Sequence, residues 1–475
     1  MRTSTAQEPP RPSPERDQLS PKDRMVWRVE TGGRARPLIL AVLVLEGRWR
    51  WEDFLAWHDQ LSVSMPRMRA KVAEGRGPLR PSFWQPDADF TLSRHLQRVT
   101  VGGQGTVKDV FSTAETLAEI PFQPGRSPWN GYLLDGVEGG RSAYVLKISH
   151  SIADGIRLRE LFLRQSEAAP PAPPGGTAPP SPQGPQEDGP WAVVSPMGPD
   201  GAPQEDGHRR DTRSRPRQLA WAARFLGRAA ADMLDLPHPV PPAGAHFSRH
   251  FFTTVVPLSA MKETAAASGG TVHDALVAAA MEGCHRYDEA HGVRRRHIRV
   301  FSPYGRPPWT AGHHPRRAGN HWFIVRFAVR TGLPDTSARI RAVRRAVRAA
   351  YHRDSADWME GLARVCPVVP RRWFDAAFLR LCATHDFVVS NMPGPTTPLS
   401  VCGLRAEAVY AIAPTLGSAV TVTLVSYRGR CHVTVNVDPT VIADSEEIGR
   451  HICRALEEMT AESGRPHQPA GGHER

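Results

Sequence analysis

His150, Asp154 and Gly155 stand at H-x-x-x-D-G spacing within residues 143–162, AYVLKISHSIADGIRLRELF. A neutral imidazole accepts a proton near pH 7, so His150 is a candidate general base for activating a hydroxyl. Two elements would position it. Residues 143–148 have strand composition with Tyr144, Leu146 and Ile148 on one face, and after Gly155 the residues Ile156, Leu158, Leu161 and Phe162 recur at helical spacings. A strand thus delivers the histidine to a junction where a helix begins. Taken alone, the pattern also fits a helix-start histidine followed by an ordinary Asp-Gly turn.

Upstream, residues 126–150 read as strand, Gly-rich hairpin and strand, ending at the histidine. Arg126 and Trp129, the short strand Tyr132-Leu133-Leu134, the turn Asp135-Gly136, then Glu138-Gly139-Gly140-Arg141 and the histidine motif follow in that order. In this they resemble the bacterial wax ester synthase/diacylglycerol acyltransferases. The likeness takes in Leu19-Ser20-Pro21-Lys22-Asp23 with Glu30, Pro66-Arg67-Met68-Arg69, and Asp89-Phe90 with His95. In the second half it takes in Thr271-Val272-His273-Asp274, Gly319-Asn320, and the run from Val388 to Pro395. Only the two tails and a central insert fall outside it.

The resemblance implies an α/β fold of two CoA-dependent acyltransferase-like, mixed-sheet domains with an active-site tunnel between them. It implies that His150, matching the second histidine of the family's H-H-x-x-x-D-G motif, is the base acting on an alcohol while acyl-CoA supplies the acyl group. Asp154 is by the same resemblance an architectural anion rather than a proton carrier, and Gly155 permits a close approach that a side chain would block. Ester synthesis from a thioester needs a base, donors for the oxyanion and a site that excludes water, but no covalent enzyme nucleophile.

Ser149 stands where the family usually has its first histidine. Adjacent strand residues face opposite sides, so this departure leaves the base in place, and no G-x-S-x-G elbow surrounds Ser149 to make it a hydrolase nucleophile. Ser149, Trp129, Asn391 and Asp274 are the candidate substrate-binding residues. Trp129 would line an acyl channel or fill a core, and Asn391 would be aimed into the tunnel by the rigid turn Pro393-Gly394-Pro395. His273-Asp274 stands where the family commonly has Asn-Asp at a helix start, a place that also favours an acidic residue electrostatically. Asn130 replaces an acidic residue usual after the tryptophan.

At 475 residues the chain suits two domains joined by a linker, and its 40% hydrophobic content is enough for two cores. We expect an N-terminal domain at 19–167 carrying the motif, a Pro/Gly-rich linker at 168–217 in which Pro-Gln-Glu-Asp-Gly occurs at 185–189 and 203–207, and a C-terminal domain at 218–462. Tails 1–18 and 463–475 are expected to be disordered. Strands are expected at 37–45, 131–135, 143–148, 251–258, 298–302, 418–427 and 431–437, and helices at 51–63, 107–118, 219–236, 271–287 and 335–350.

The formal charge of +12 rests on arginine, since only five of the 60 basic residues are lysine. No motif for nucleic-acid binding accompanies it, which leaves CoA phosphates or an anionic lipid surface as partners for Arg316, Arg317 and the arginines of 338–348, or a solvated helix face. The six cysteines form no C-x-x-C pair and no secretory leader is evident, so a reducing cytoplasmic setting is expected. The apolar run 37–45 is far shorter than the roughly 20 residues that span a bilayer, so any attachment to the inner membrane face or to lipid droplets would be peripheral. His313-His314 lacks a carboxylate or cysteine at ligand spacing, and neither metal nor cofactor is expected beyond acyl-CoA as co-substrate.

Three readings follow. The first is an acyl-CoA-dependent O-acyltransferase forming triacylglycerol or wax ester from a diacylglycerol or alcohol acceptor. The second keeps fold and base but takes a polyketide, sugar or carrier-bound substrate. The third is a chain that binds lipid or acyl-CoA without turnover, suggested by the departures at Ser149, Asn130 and His273.

Overall fold

The computed structural model describes residues 17–32, 36–75, 80–167, 227, 248–305, 322–351, 361–364, 366–395, 397–414 and 418–463. The expected linker, Gly319-Asn320, the segment from His313 to Arg317 and the helix expected at 219–236, Gly227 apart, lie outside these residues.

The first half runs β1 (Asp17–Gln18), α1 (Pro21–Thr31), β2 (Leu38–Leu45), α2 (Trp51–Ser64), β3 (Ala70–Ala73), β4 (Phe83–Pro86), β5 (Leu96–Thr100), α3 (Val107–Glu119), β6 (Trp129–Val137), β7 (Arg141–Ser149) and α4 (Gly155–Glu167). The second runs β8 (His250–Pro257), α5 (Leu258–Ala267), α6 (Val272–Ala290), β9 (His297–Gly305), β10 (Trp322–Arg330), α7 (Thr336–Tyr351), α8 (Arg371–Cys382), β11 (Phe387–Pro393), β12 (Ser400–Val401), β13 (Leu404–Ile412), β14 (Val420–Tyr427), β15 (Arg430–Val437) and α9 (Ser445–Ser463). They build two six-stranded mixed sheets, ordered β12-β13-β2-β7-β6-β5 and β10-β9-β11-β14-β15-β8, and a small sheet β1-β4-β3.

Strand β7 is central to the first sheet and is buried on both faces, which its near-continuous apolar run requires. Tyr144, Leu146 and Ile148 face a core shared with Phe54, Trp57 and Leu61 of α2 and with Leu158 and Leu161 of α4. Ala143 and Val145 face the opposite core, filled by Val110, Phe111 and Ala114 of α3. The β6–β7 hairpin turns through Gly139 and Gly140, whose φ values of 69° and 71° lie in the left-handed region that favours glycine.

The two halves exchange elements, so a strictly sequential division at 168–217 does not describe the sheets. From the second half, β13 pairs antiparallel with β2, joining Tyr410 to Val42 and Ile412 to Leu40. In the other direction, Met25, Val26 and Val29 of α1 pack with Phe374 and Phe378 of α8 against Trp322 and Val388 of the second sheet. The N-terminal tail also ends earlier than expected, because Asp17 and Gln18 pair with Trp84 and Phe83. Of the expected turn at Pro393-Gly394-Pro395, the first residue belongs to a strand: Phe387–Pro393 pairs parallel with β14, putting Asn391 opposite Leu424.

Candidate active site

His150 follows the last residue of β7, and its backbone is tied on both sides. Its N–H donates to Pro37 O at 2.8 Å, and the Ser149 N–H donates to Pro128 O at 2.9 Å. Asp154 then caps α4, its Oδ1 accepting from Arg157 N at 3.0 Å while its carbonyl accepts from Leu158 N at 3.0 Å. The H-x-x-x-D spacing is therefore the distance from a strand end to a helix cap. The ring of His150 meets Trp322 of the second half edge-on, with centroids 5.8 Å apart.

Gly155 is the first helical residue, and a Cβ there would lie 2.4 Å from Met392 Sδ on β11. The glycine thus lets the second half close onto the helix start. Gly155→Ala is expected to cost about 1–3 kcal/mol by overpacking. In a double-mutant cycle followed by denaturant unfolding, Met392→Ala should recover most of that loss, whereas simple additivity of the two changes would refute the contact.

Ser149 is not on the wall of the cavity that His150 lines. It is fully buried, and its Oγ is hydrogen-bonded to Glu30 Oε2 and, at 2.8 Å, to Ser151 Oγ, while accepting from Ser151 N at 3.1 Å. The alternation of an extended chain turns Ser149 away from the side that His150 faces. Burial pushes the Glu30 carboxyl up to about 8, against the hydrogen bond from Ser149 and the charges of Lys147 and Arg36. Burial and Arg36 push Lys147 down to about 7, with Glu30 opposing.

A carboxyl held at about 8 in the fold and at an ordinary 4.5 when unfolded binds its proton more tightly in the native state. Its contribution to stability is complete below 4.5 and is lost as pH rises through about 8. Melting temperatures of wild type relative to Glu30→Gln should accordingly fall across that window, with Lys147 present in both chains. A difference that is flat with pH would show that Glu30 ionises as readily folded as unfolded.

Trp129 and Asp274 are structural as well. Trp129 is 1% exposed, stacks on His95 at 4.6 Å, and donates its indole N–H to Met68 O at 2.8 Å, which makes it a core residue rather than a channel wall. Asp274 closes a capping box with Thr271, accepting from its N–H and its Oγ1 at 2.8 Å each, and pairs with Arg344 at 3.3 Å. All of these contacts are made by Oδ2, while Oδ1 is buried without a hydrogen-bond partner among the described residues. Arg339 of the same arginine-rich helix pairs with Glu282, so two of the arginines weighed for CoA phosphates hold the fold instead.

His150, Asp154 and Gly155 line one cavity of about 460 Å³ together with Ser390, Asn391 and Met392 of β11. The cavity lies between the two halves, and most of its wall is apolar, including Met25, Val26 and Val29 of α1 and Phe378 of α8. Sequence reasoning missed α1, Trp322 and Tyr304 as wall residues, and it assigned substrate contact to Asp274 where the neighbouring His273 lines the cavity. Among the described residues, His291, Asp444 and Glu447 bring ligand atoms within 4.8 Å of one another, but none belongs to this wall.

Two exchanged mixed sheets with a histidine at the shared cavity define a CoA-acyltransferase-like fold. The first condensation domain of the calcium-dependent antibiotic synthetase, with a substrate analogue, is similar over 95% of this chain and 98% of its own at 14% identity and a TM-score of 0.58. The wax ester synthase/diacylglycerol acyltransferase of Marinobacter aquaeolei VT8 is similar over 94% of this chain and 100% of its own, at 16% identity and a TM-score of 0.59. At the sequence level, residues 19–276 match the wax ester synthase/diacylglycerol acyltransferase catalytic domain and residues 318–460 the WS/DGAT C-terminal domain. The chain belongs to this family and is an O-acyltransferase. A Mycobacterium tuberculosis protein named as a candidate diacylglycerol O-acyltransferase is 27% identical over 466 residues, covering 95% of this chain and 93% of the relative.

Proposed function

We propose that the chain transfers an acyl group from acyl-CoA to the hydroxyl of a diacylglycerol or long-chain alcohol, with His150 as general base. The observation that carries this reading is the predominantly apolar cavity between the halves, on whose wall His150 stands with Asp154 and Gly155 from one half and Asn391 from the other. The imidazole takes the hydroxyl proton as the oxygen attacks the thioester carbonyl. Collapse of the tetrahedral intermediate breaks the C–S bond, and the imidazolium returns the proton to the leaving thiolate. The products are the ester and free CoA, so no further cofactor enters the balance.

Asp154 takes no proton in this scheme; as the cap of α4 it fixes the loop that presents the histidine. The apolar wall limits competing water and accepts an alkyl chain. Arg159 and Arg164 on the same wall supply positive charge of the kind that CoA phosphates pair with. No helix among the described residues is long and apolar enough to cross a membrane, so access to lipid acceptors in this reading is from a peripheral position. The test is thiol release from palmitoyl-CoA with hexadecanol or diacylglycerol present, with identification of the lipid product. Acceptor-dependent ester is expected, and thiol release that ignores the acceptor would sink the reading.

A further inference from the structure

His273 is a second imidazole on the cavity wall, and the transfer scheme above makes no use of it. It is 4% exposed, and burial pushes it down to about 4 against the attraction of Asp274, so the ring is neutral near pH 7. A neutral imidazole has one N–H and one acceptor nitrogen. Ser302 decides which is which. Its hydroxyl has a single proton, and Oγ lies 3.1 Å from Val389 O, a group that can only accept. Ser302 Oγ also faces the Tyr304 hydroxyl and, at 3.2 Å, His273 Nε2, and with its proton on Val389 O its lone pairs receive the N–H of the ring. Nδ1 keeps its lone pair and has no hydrogen-bond partner among the described residues. Tyr304 packs against the ring at 5.3 Å and holds its plane.

His273, pinned by Ser302, offers the substrate an acceptor only. We infer that His273 Nδ1 accepts a hydrogen bond from a second hydroxyl of the acceptor substrate, so that this site selects lipid acceptors with a vicinal diol, such as a monoacylated glycerol, over simple long-chain alcohols. The inference rests on the transferase reading and extends its acceptors from the single hydroxyl of a diacylglycerol or long-chain alcohol to a lipid diol. His150 deprotonates one hydroxyl while His273 holds the other.

Initial rates with palmitoyl-CoA would compare 1,2-hexadecanediol with 1-hexadecanol in wild type, His273→Phe and Ser302→Ala. The ratio of kcat/KM for diol over mono-ol is the readout. It should be about three- to tenfold higher in wild type than in His273→Phe, which keeps ring size but has no acceptor atom. Ser302→Ala keeps the imidazole but releases its tautomer, so its ratio should fall part of the way, and it carries the test if the phenylalanine variant does not fold. An unchanged ratio, or equal loss of rate with both alcohols, overturns the inference. If wild type acylates neither alcohol, the transferase reading fails on its own. Calorimetric titration of the two alcohols then decides for His273, with tighter diol binding by wild type than by the variant supporting it and equal affinities refuting it.

Discussion

His150→Ala is expected to lower kcat by about 10²–10⁴-fold in thiol-release assays with palmitoyl-CoA, the range that a positioned base contributes, while the chain stays folded. The two halves of that expectation have separate grounds. Loss of rate is expected because the side chain is the imidazole that the strand end presents to the cavity beside the capped start of α4. Retention of the fold follows because the position is held through its backbone, by the N–H to Pro37 O, and because neighbouring Ser149 keeps its bonds to Glu30 and Ser151. A variant with more than about a tenth of wild-type kcat would remove His150 from the role of base. Ser149→His, which restores the family's usual residue, is a separate matter, since it would have to fit an imidazole into a fully buried site already bonded to Glu30.

Arg67→Met should cost about 3–5 kcal/mol of stability, because it strands carboxylates that the guanidinium now neutralises. Arg67 is 5% exposed and Asp23 fully buried; they pair at 3.1 Å, while Arg67 Nε donates to Asp17 Oδ2 at 2.7 Å. The same guanidinium donates to Ser151 O at 3.3 Å, one residue past His150. Activity should therefore fall with stability, through a looser loop after His150. The check is denaturant unfolding of Arg67→Met against the double variant Arg67→Met with Asp23→Asn. Removing the stranded charge should return a large part of the loss, and a double variant no more stable than the single would show that the cost lies in packing against Trp84 instead.

The exchange of elements explains why one cavity can be assembled from both halves. Helix α1 leaves the first half to pack on the second sheet, and β13 returns to pair with β2, so the wall near His150 is crossed by chain from both directions. Met392 against Gly155 and Trp322 against His150 are the points where the halves touch at the motif itself. Relative movement of the halves would alter both contacts at once.

The amino-acid sequence by itself determined the local elements of the motif. Alternation from Tyr144 to Ile148 specifies a strand, and the residues after Gly155 specify a helix, because both periods are set by the backbone and read over a few neighbours. It also determined that Ser149 and His150 face opposite ways, and the motif resemblance already marked Glu30 and Arg67. The partners of these residues were not legible, since Ser149 meets Glu30 across 119 positions and Arg67 meets Ser151 across 84. The turn was read from Pro393 because Pro393-Gly394-Pro395 is turn chemistry, yet pairing with β14 extends the strand of Asn391 through Pro393.

The choice between His273 and Asp274 shows the limit most plainly. The two are neighbours on the first turn of α6, about 100° apart around its axis. Helical period places both, but only the packing of α6 on the second sheet turns His273 to the cavity and leaves Asp274 to cap the helix and bind Arg344. Local propensity sets conformation through adjacent residues, whereas the direction a side chain faces is settled by contacts with elements distant in the chain.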